Sequence, residues 1–92
     1  MYRFVFPDNN RAARNTDLQQ AQKVLEEATE LRDAMRQGES SQRVLEEAFD
    51  TLHALEGILS RFTDAELSAA IVRVHGKNTM RGDYSPINTT KH

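Results

Sequence analysis

Apolar positions recur at helical spacing along three stretches of this chain, and each stretch carries its own start and stop signals. Thr16-Asp17-Leu18-Gln19 reads as a capping box, in which the Thr hydroxyl accepts from the Gln19 amide and the Gln side chain reaches back. From there to Gln37 the residues are strong helix formers without Pro or Gly, and Gly38 is placed to stop the helix. Ser40 or Ser41 caps a second helix predicted to reach about Phe62. Thr63-Asp64-Ala65-Glu66 is another capping box, opening a third helix predicted to end near His75 with Gly76 as its stop.

Outside these helices the pattern weakens. The opening residues 1–15 hold a short cluster, Tyr2, Phe4, Val5 and Phe6, closed by Pro7-Asp8. They read as an arm that packs on the helices or on a partner subunit, because a lone strand has nothing to pair with. Residues 77–92 are polar, contain Gly82 and Pro86, and read as a basic closing segment with a flexible end. The helical domain is thus 16–76. The phrase Val24-Leu25-Glu26-Glu27-Ala28 returns as Val44-Leu45-Glu46-Glu47-Ala48, and the few residues between the first two helices predict an antiparallel hairpin. The fold class expected is all-α, a hairpin plus a third helix.

Size and composition narrow the function. A chain of 92 residues is one domain at most and buries a modest share of its surface, so self-association is expected. Twelve basic against fourteen acidic residues leave no basic footprint for direct nucleic-acid binding. The absence of cysteine excludes disulfide scaffolds, zinc–thiolate sites and thiol chemistry. No apolar run approaches the length of a membrane span and no signal-peptide core opens the chain, so a cytoplasmic protein without membrane contact is expected.

The carboxylates change the picture further. At about 100° per residue, Glu27 and Glu30 lie roughly 60° apart on the first helix, bordering the stripe of Val24, Ala28, Leu31 and Met35. With Glu47 taken as zero, Val44, Leu55, Ile58 and Phe62 fall at about +20° to +80° and Ala54 near −20°, and Asp50 is one step beyond. A carboxylate between apolar positions is costly unless compensated. Lys23 and Arg43 stand beside the two pairs, but two cations do not neutralise four facing acids. Oxygen-only ligands at i, i+3 spacing on facing helices suit a hard cation, magnesium or manganese. Magnesium keeps company with phosphates, so the substrate class expected is a phosphorylated molecule, a nucleotide above all.

Glu26-Glu27-x-x-Glu30 followed by Glu47-x-x-Asp50 resembles the acidic signature of the MazG-like all-α nucleoside triphosphate pyrophosphohydrolases. The similarity covers mainly residues 16–84 and includes Lys77-Asn78-x-x-Arg81-Gly82-x-Tyr84, which looks like the basic closing segment of small members. The resemblance implies hydrolysis of a nucleoside triphosphate to monophosphate and pyrophosphate. Glu27, Glu30, Glu47 and Asp50 would hold the metal, and Glu26 would orient or deprotonate the attacking water. Lys77 and Arg81 would meet the phosphates, Asn78 a phosphate or the sugar, and Tyr84 the base. It also implies hairpins pairing between subunits into a four-helix bundle, as a homodimer or homotetramer.

Two other readings stand beside this one. A non-catalytic helical interaction module, or an inactive MazG relative, would present the same helices with the acids in salt bridges. A di-iron bundle is disfavoured because Asp50-x-x-His53 occurs once and His53 points about 120° away from Glu47. His75 is expected to face the carboxyl end of the third helix as a dipole partner.

Overall fold

The structure, a computed structural model, describes residues 2–84. Among them are four helices and no strand: α1 (Asn10–Arg14), α2 (Asp17–Arg36), α3 (Ser41–Leu59) and α4 (Asp64–Met80). The all-α reading holds, with one helix more than expected. Residues 3–62 form one compact unit, and Tyr2 with residues 63–84 belongs to a second. None of the described helices is long and apolar enough to cross a membrane.

In the larger unit, both arms of the capping box at Thr16 are made, and Ser40 caps α3 by accepting from the Arg43 amide at 3.2 Å. The turn between α2 and α3 is a Schellman motif. Gly38 takes φ 68°, its N–H donates to Met35, and the Glu39 N–H donates to Ala34. Gln20 Nε2 donates to the Ala54 carbonyl at 2.9 Å. Seven residues along α2, Glu27 faces Glu47, seven residues back along α3. The hairpin is therefore antiparallel. It ends sooner than expected: α3 stops at Leu59, and Phe62 lies beyond it, half exposed, outside the apolar stripe assigned to it.

The arm contains α1, a five-residue helix capped by the Asn9 side chain, which accepts from the Ala12 amide at 3.0 Å. The arm is fastened to α3 by polar groups as much as by its aromatics. The Glu56 carboxylate is buried and accepts from the Val5 and Phe6 amides at 2.9 and 3.0 Å. The Phe6 ring lies 4.8 Å from His53 and meets Phe49 edge to face. Arg61 donates to the Ala12 and Asn15 carbonyls at 2.7 and 2.8 Å and pairs with Asp17, tying down the end of α1. The buried apolar residues of this unit are small, Ala12, Ala34 and Ala54, and the amide of Gln20, 1% exposed, is buried beside Gly57 and held by Ala54 and Asn15. The larger apolar side chains Leu25, Met35, Leu45 and Phe49 remain exposed.

In the second unit the Thr63–Glu66 capping box forms as expected. Hydrogen bonds from Thr63 hold the Glu66 carboxyl below its usual range. The stop assigned to Gly76 is corrected. The helix runs through Gly76 to Met80, and Gly82, at φ 79°, closes it with a second Schellman motif through Asn78 and Thr79. Gly76 was the wrong glycine because both lie near the predicted end and only backbone context separates a helical glycine from a left-handed one. Lys77 to Met80, read as loop, are thus helical, and the last part of the predicted tail, 85–92, lies outside the described residues. A Cβ at Gly76 meets open space. Gly76→Ala is therefore expected to stabilise α4 by about 0.5–1 kcal/mol, a rise in Tm of roughly 2–8 °C in a helix-monitored melt.

Candidate metal centre

Glu27 and Glu30 come from the middle of α2, Glu47 from α3, and the antiparallel register sets them face to face. One carboxylate oxygen from each lies within 4.8 Å of the others. Exposure falls steeply across the group: Glu30 is exposed, Glu27 is 8% accessible and Glu47 only 2%. Glu47 thus forms the floor. The apolar neighbours predicted around it on the wheel are present in Ala54, buried, and in Val44 and Ile58, partly buried.

The charges are only partly balanced. Lys23 Nζ lies 2.8 Å from Glu27 Oε2, and this contact holds the lysine above its usual pKa. Arg43 pairs with Glu47 Oε2 and reaches Glu39 and Glu46 more loosely. The second Glu47 oxygen, Oε1, is buried with no hydrogen-bond partner among the described residues. Burial pushes the Glu47 carboxyl above its ordinary value. Arg43 opposes that shift, and Glu30, Asp50 and Glu27 add to it.

This donor set suits a hard cation. It is all oxygen, it converges from two helices, and its deepest member carries an acceptor without a partner among the described residues. The three converging acids (Glu27, Glu30, Glu47) against Lys23 and Arg43 keep an excess of one negative charge, which a cation offsets.

Asp50 stands apart from the other three predicted ligands. It is exposed, outside the group of converging oxygens, and lines a cavity of about 260 Å³ together with Glu27, Lys23 and His53. Its charge nonetheless reaches Glu47. Glu26 is exposed and also lies outside the group.

The predicted substrate contacts belong to the other unit, and most are engaged with one another. Asn78 donates to the Tyr84 hydroxyl at 3.2 Å, and Arg81 donates to Asn78 at 2.8 Å and to Asp83 at 2.9 Å. Tyr84 stacks on His75, with ring centroids 5.0 Å apart. His75 is therefore a stacking partner inside α4 and not a group at its carboxyl end. Lys77 is exposed in the last turn of α4, where a cation also suits the helix dipole.

Sequence reasoning missed the contribution of the arm. Asn9, Arg11, Ala12 and Asn15 form one wall of the cavity beside the carboxylates. Five helical residues are too few to show a period, and the only signal available was Asn9 as a cap. Comparison of the chain with models of known protein families, with curated proteins and with solved structures gives no match.

Proposed function

We propose that this protein is a metal-dependent nucleotide pyrophosphohydrolase of the MazG-like kind, cleaving a nucleoside triphosphate or related nucleotide to the monophosphate and pyrophosphate. The observation that carries the reading is Glu47: a buried carboxylate with one oxygen unsatisfied, converging with Glu27 and Glu30. Glu27, Glu30 and Glu47 hold magnesium, or manganese, with Asp50 completing the set from the adjoining wall. The ion, when bound, supplies Lewis acidity at the phosphate oxygens and acidifies water. Glu26 is, with Glu30 and Asp50, one of the solvent-facing carboxylates of the signature, and it is assigned to orient the attacking water and take its proton. Lys77, Asn78, Arg81 and Tyr84 are proposed as further substrate contacts, which for Asn78, Arg81 and Tyr84 requires their mutual bonds to open.

Self-association belongs to the same reading. A unit whose buried apolar residues are alanines, with Leu25 and Leu45 more than half exposed, gains most by covering those side chains with another copy. A homodimer or homotetramer built from paired hairpins does so. The rival reading, a non-catalytic module, predicts no response to metal.

A panel of nucleoside triphosphates incubated with magnesium, scored for pyrophosphate and monophosphate, is expected to reveal turnover. Magnesium alone is expected to raise the melting temperature, since an ion that binds only the folded state stabilises it by mass action. A melting curve indifferent to magnesium, together with no released pyrophosphate from any nucleotide, would eliminate the assignment.

A further inference from the structure

The cavity beside the carboxylates holds two cations that the acidic signature does not explain. Lys23 lies on α2 one turn before Glu27, and Arg11, on α1, lines the same cavity. Among the described residues Arg11 enters no ion pair. Lys23 does, but its partner Glu27 belongs to the converging acidic group.

We propose that this cavity binds the phosphate chain of the substrate, with Arg11 and Lys23 as its cations. The inference rests on the metal-centre reading above and adds to it the side from which the phosphates arrive. Three features of the cavity favour an anionic chain over a nucleobase. Its walls are chiefly amides, cations and carboxylates; its one aromatic ring, His53, is already packed on Phe6, and Ala12 and Ala54 add only methyl groups, whereas a base seeks broad flat apolar or aromatic walls. Its volume, about 260 Å³, sits just below the range usual for small-molecule pockets and suits a slender chain. Glu27 and Asp50 line it, so phosphates held there would lie beside the carboxylates proposed for the ion and would share that ion with them.

Lys23 then has two states. With Glu27 uncompensated, the ammonium stays on that carboxylate at 2.8 Å. Once a divalent ion takes up the charge of Glu27, the lysine loses its electrostatic anchor and turns on its flexible stem towards the phosphates. Arg11 meets them from α1 with the forked geometry suited to phosphate oxygens.

Calorimetric titration of the full chain, first with magnesium alone and then with inorganic pyrophosphate at saturating magnesium, tests this. Lys23→Gln is expected to bind magnesium a few-fold more tightly, because a competing cation is gone, and Arg11→Gln to bind it as the unmodified protein does. Both are expected to bind pyrophosphate about tenfold to hundredfold more weakly, the loss usual for a charged hydrogen bond. The opposed signs for Lys23→Gln separate a phosphate ligand from a simple counter-ion. Pyrophosphate affinity unchanged in both variants, or none in the unmodified protein, with magnesium still bound, overturns the phosphate site and leaves the metal centre standing. Failure of the unmodified protein to bind magnesium removes both.

Discussion

Glu47→Gln is expected to remove hydrolysis and, at neutral pH, to make the metal-free protein more stable. Both effects come from the same buried oxygen. The substitution keeps the size of the side chain but deletes the charge that holds the ion, so turnover should fall on the order of a hundredfold or more, and the magnesium-induced rise in melting temperature should vanish. Stability moves the other way because burial raises the Glu47 carboxyl above its value in the unfolded chain. The folded state then binds that proton more tightly than the unfolded state does. Stability of the metal-free protein therefore falls as pH climbs from the ordinary value of 4.5 through the raised one, and Gln, which cannot ionise, escapes the loss. The gap between variant and unmodified protein should be widest above the raised pKa and close below 4.5. Losing its partner does not strand Arg43, which is half exposed and keeps Glu39 and Glu46 within reach. Denaturant unfolding across this pH range without metal, alongside an activity assay with it, measures both. A Glu47→Gln variant that still hydrolyses nucleotides, or is less stable at pH 7, would remove Glu47 from the floor of a metal site.

What was legible in the chain depended on the range of the interaction. Capping boxes and glycine stops act within one turn, and Thr16, Gly38, Ser40 and Thr63 all do what their neighbours in sequence dictate. The convergence of Glu27, Glu30 and Glu47 could be read because a helix wheel and one short turn fix which faces meet, although Glu30, placed off the outer face by the wheel, is exposed. Asp50 could not be placed so well, since a carboxylate at the edge of a stripe turns into the group or out along the next wall according to packing that no wheel contains. The same limit hid the arm. Its attachment depends on Glu56 and Arg61 reaching residues some fifty positions away, Phe6 and Ala12, and nothing in the local pattern announces such pairs. Arg11 owes its place in the cavity wall to those attachments.

Gly57 depends on them too, and Gly57→Ala is expected to destabilise the protein although alanine is the better helix former. The residue lies inside α3 without a positive φ, so its backbone does not demand glycine. Space does. A Cβ there would stand 2.6 Å from the Ala12 Cβ and 2.8 Å from Gln20 Nε2. The first neighbour is a stub of α1 with no rotamer to change. The second is the buried amide that donates to Ala54, and moving it strands a polar group in the interior. Overpacking and the disturbed amide together outweigh the roughly 1 kcal/mol gained in helix propensity, for a net cost of about 2–3 kcal/mol. That corresponds to a fall in Tm of roughly 10–20 °C. Gly76→Ala, the same exchange in open space, is expected to shift the melt upward, so opposite signs at two helical glycines test the packing and not the residue. Adding Ala12→Gly to Gly57→Ala removes the closest contact and should restore part of the loss, giving a favourable coupling in a double-mutant cycle. If Gly57→Ala melts at or above the temperature of the unmodified protein, α1 does not sit against α3 at Ala12, and the cavity wall that carries Arg11 goes with it.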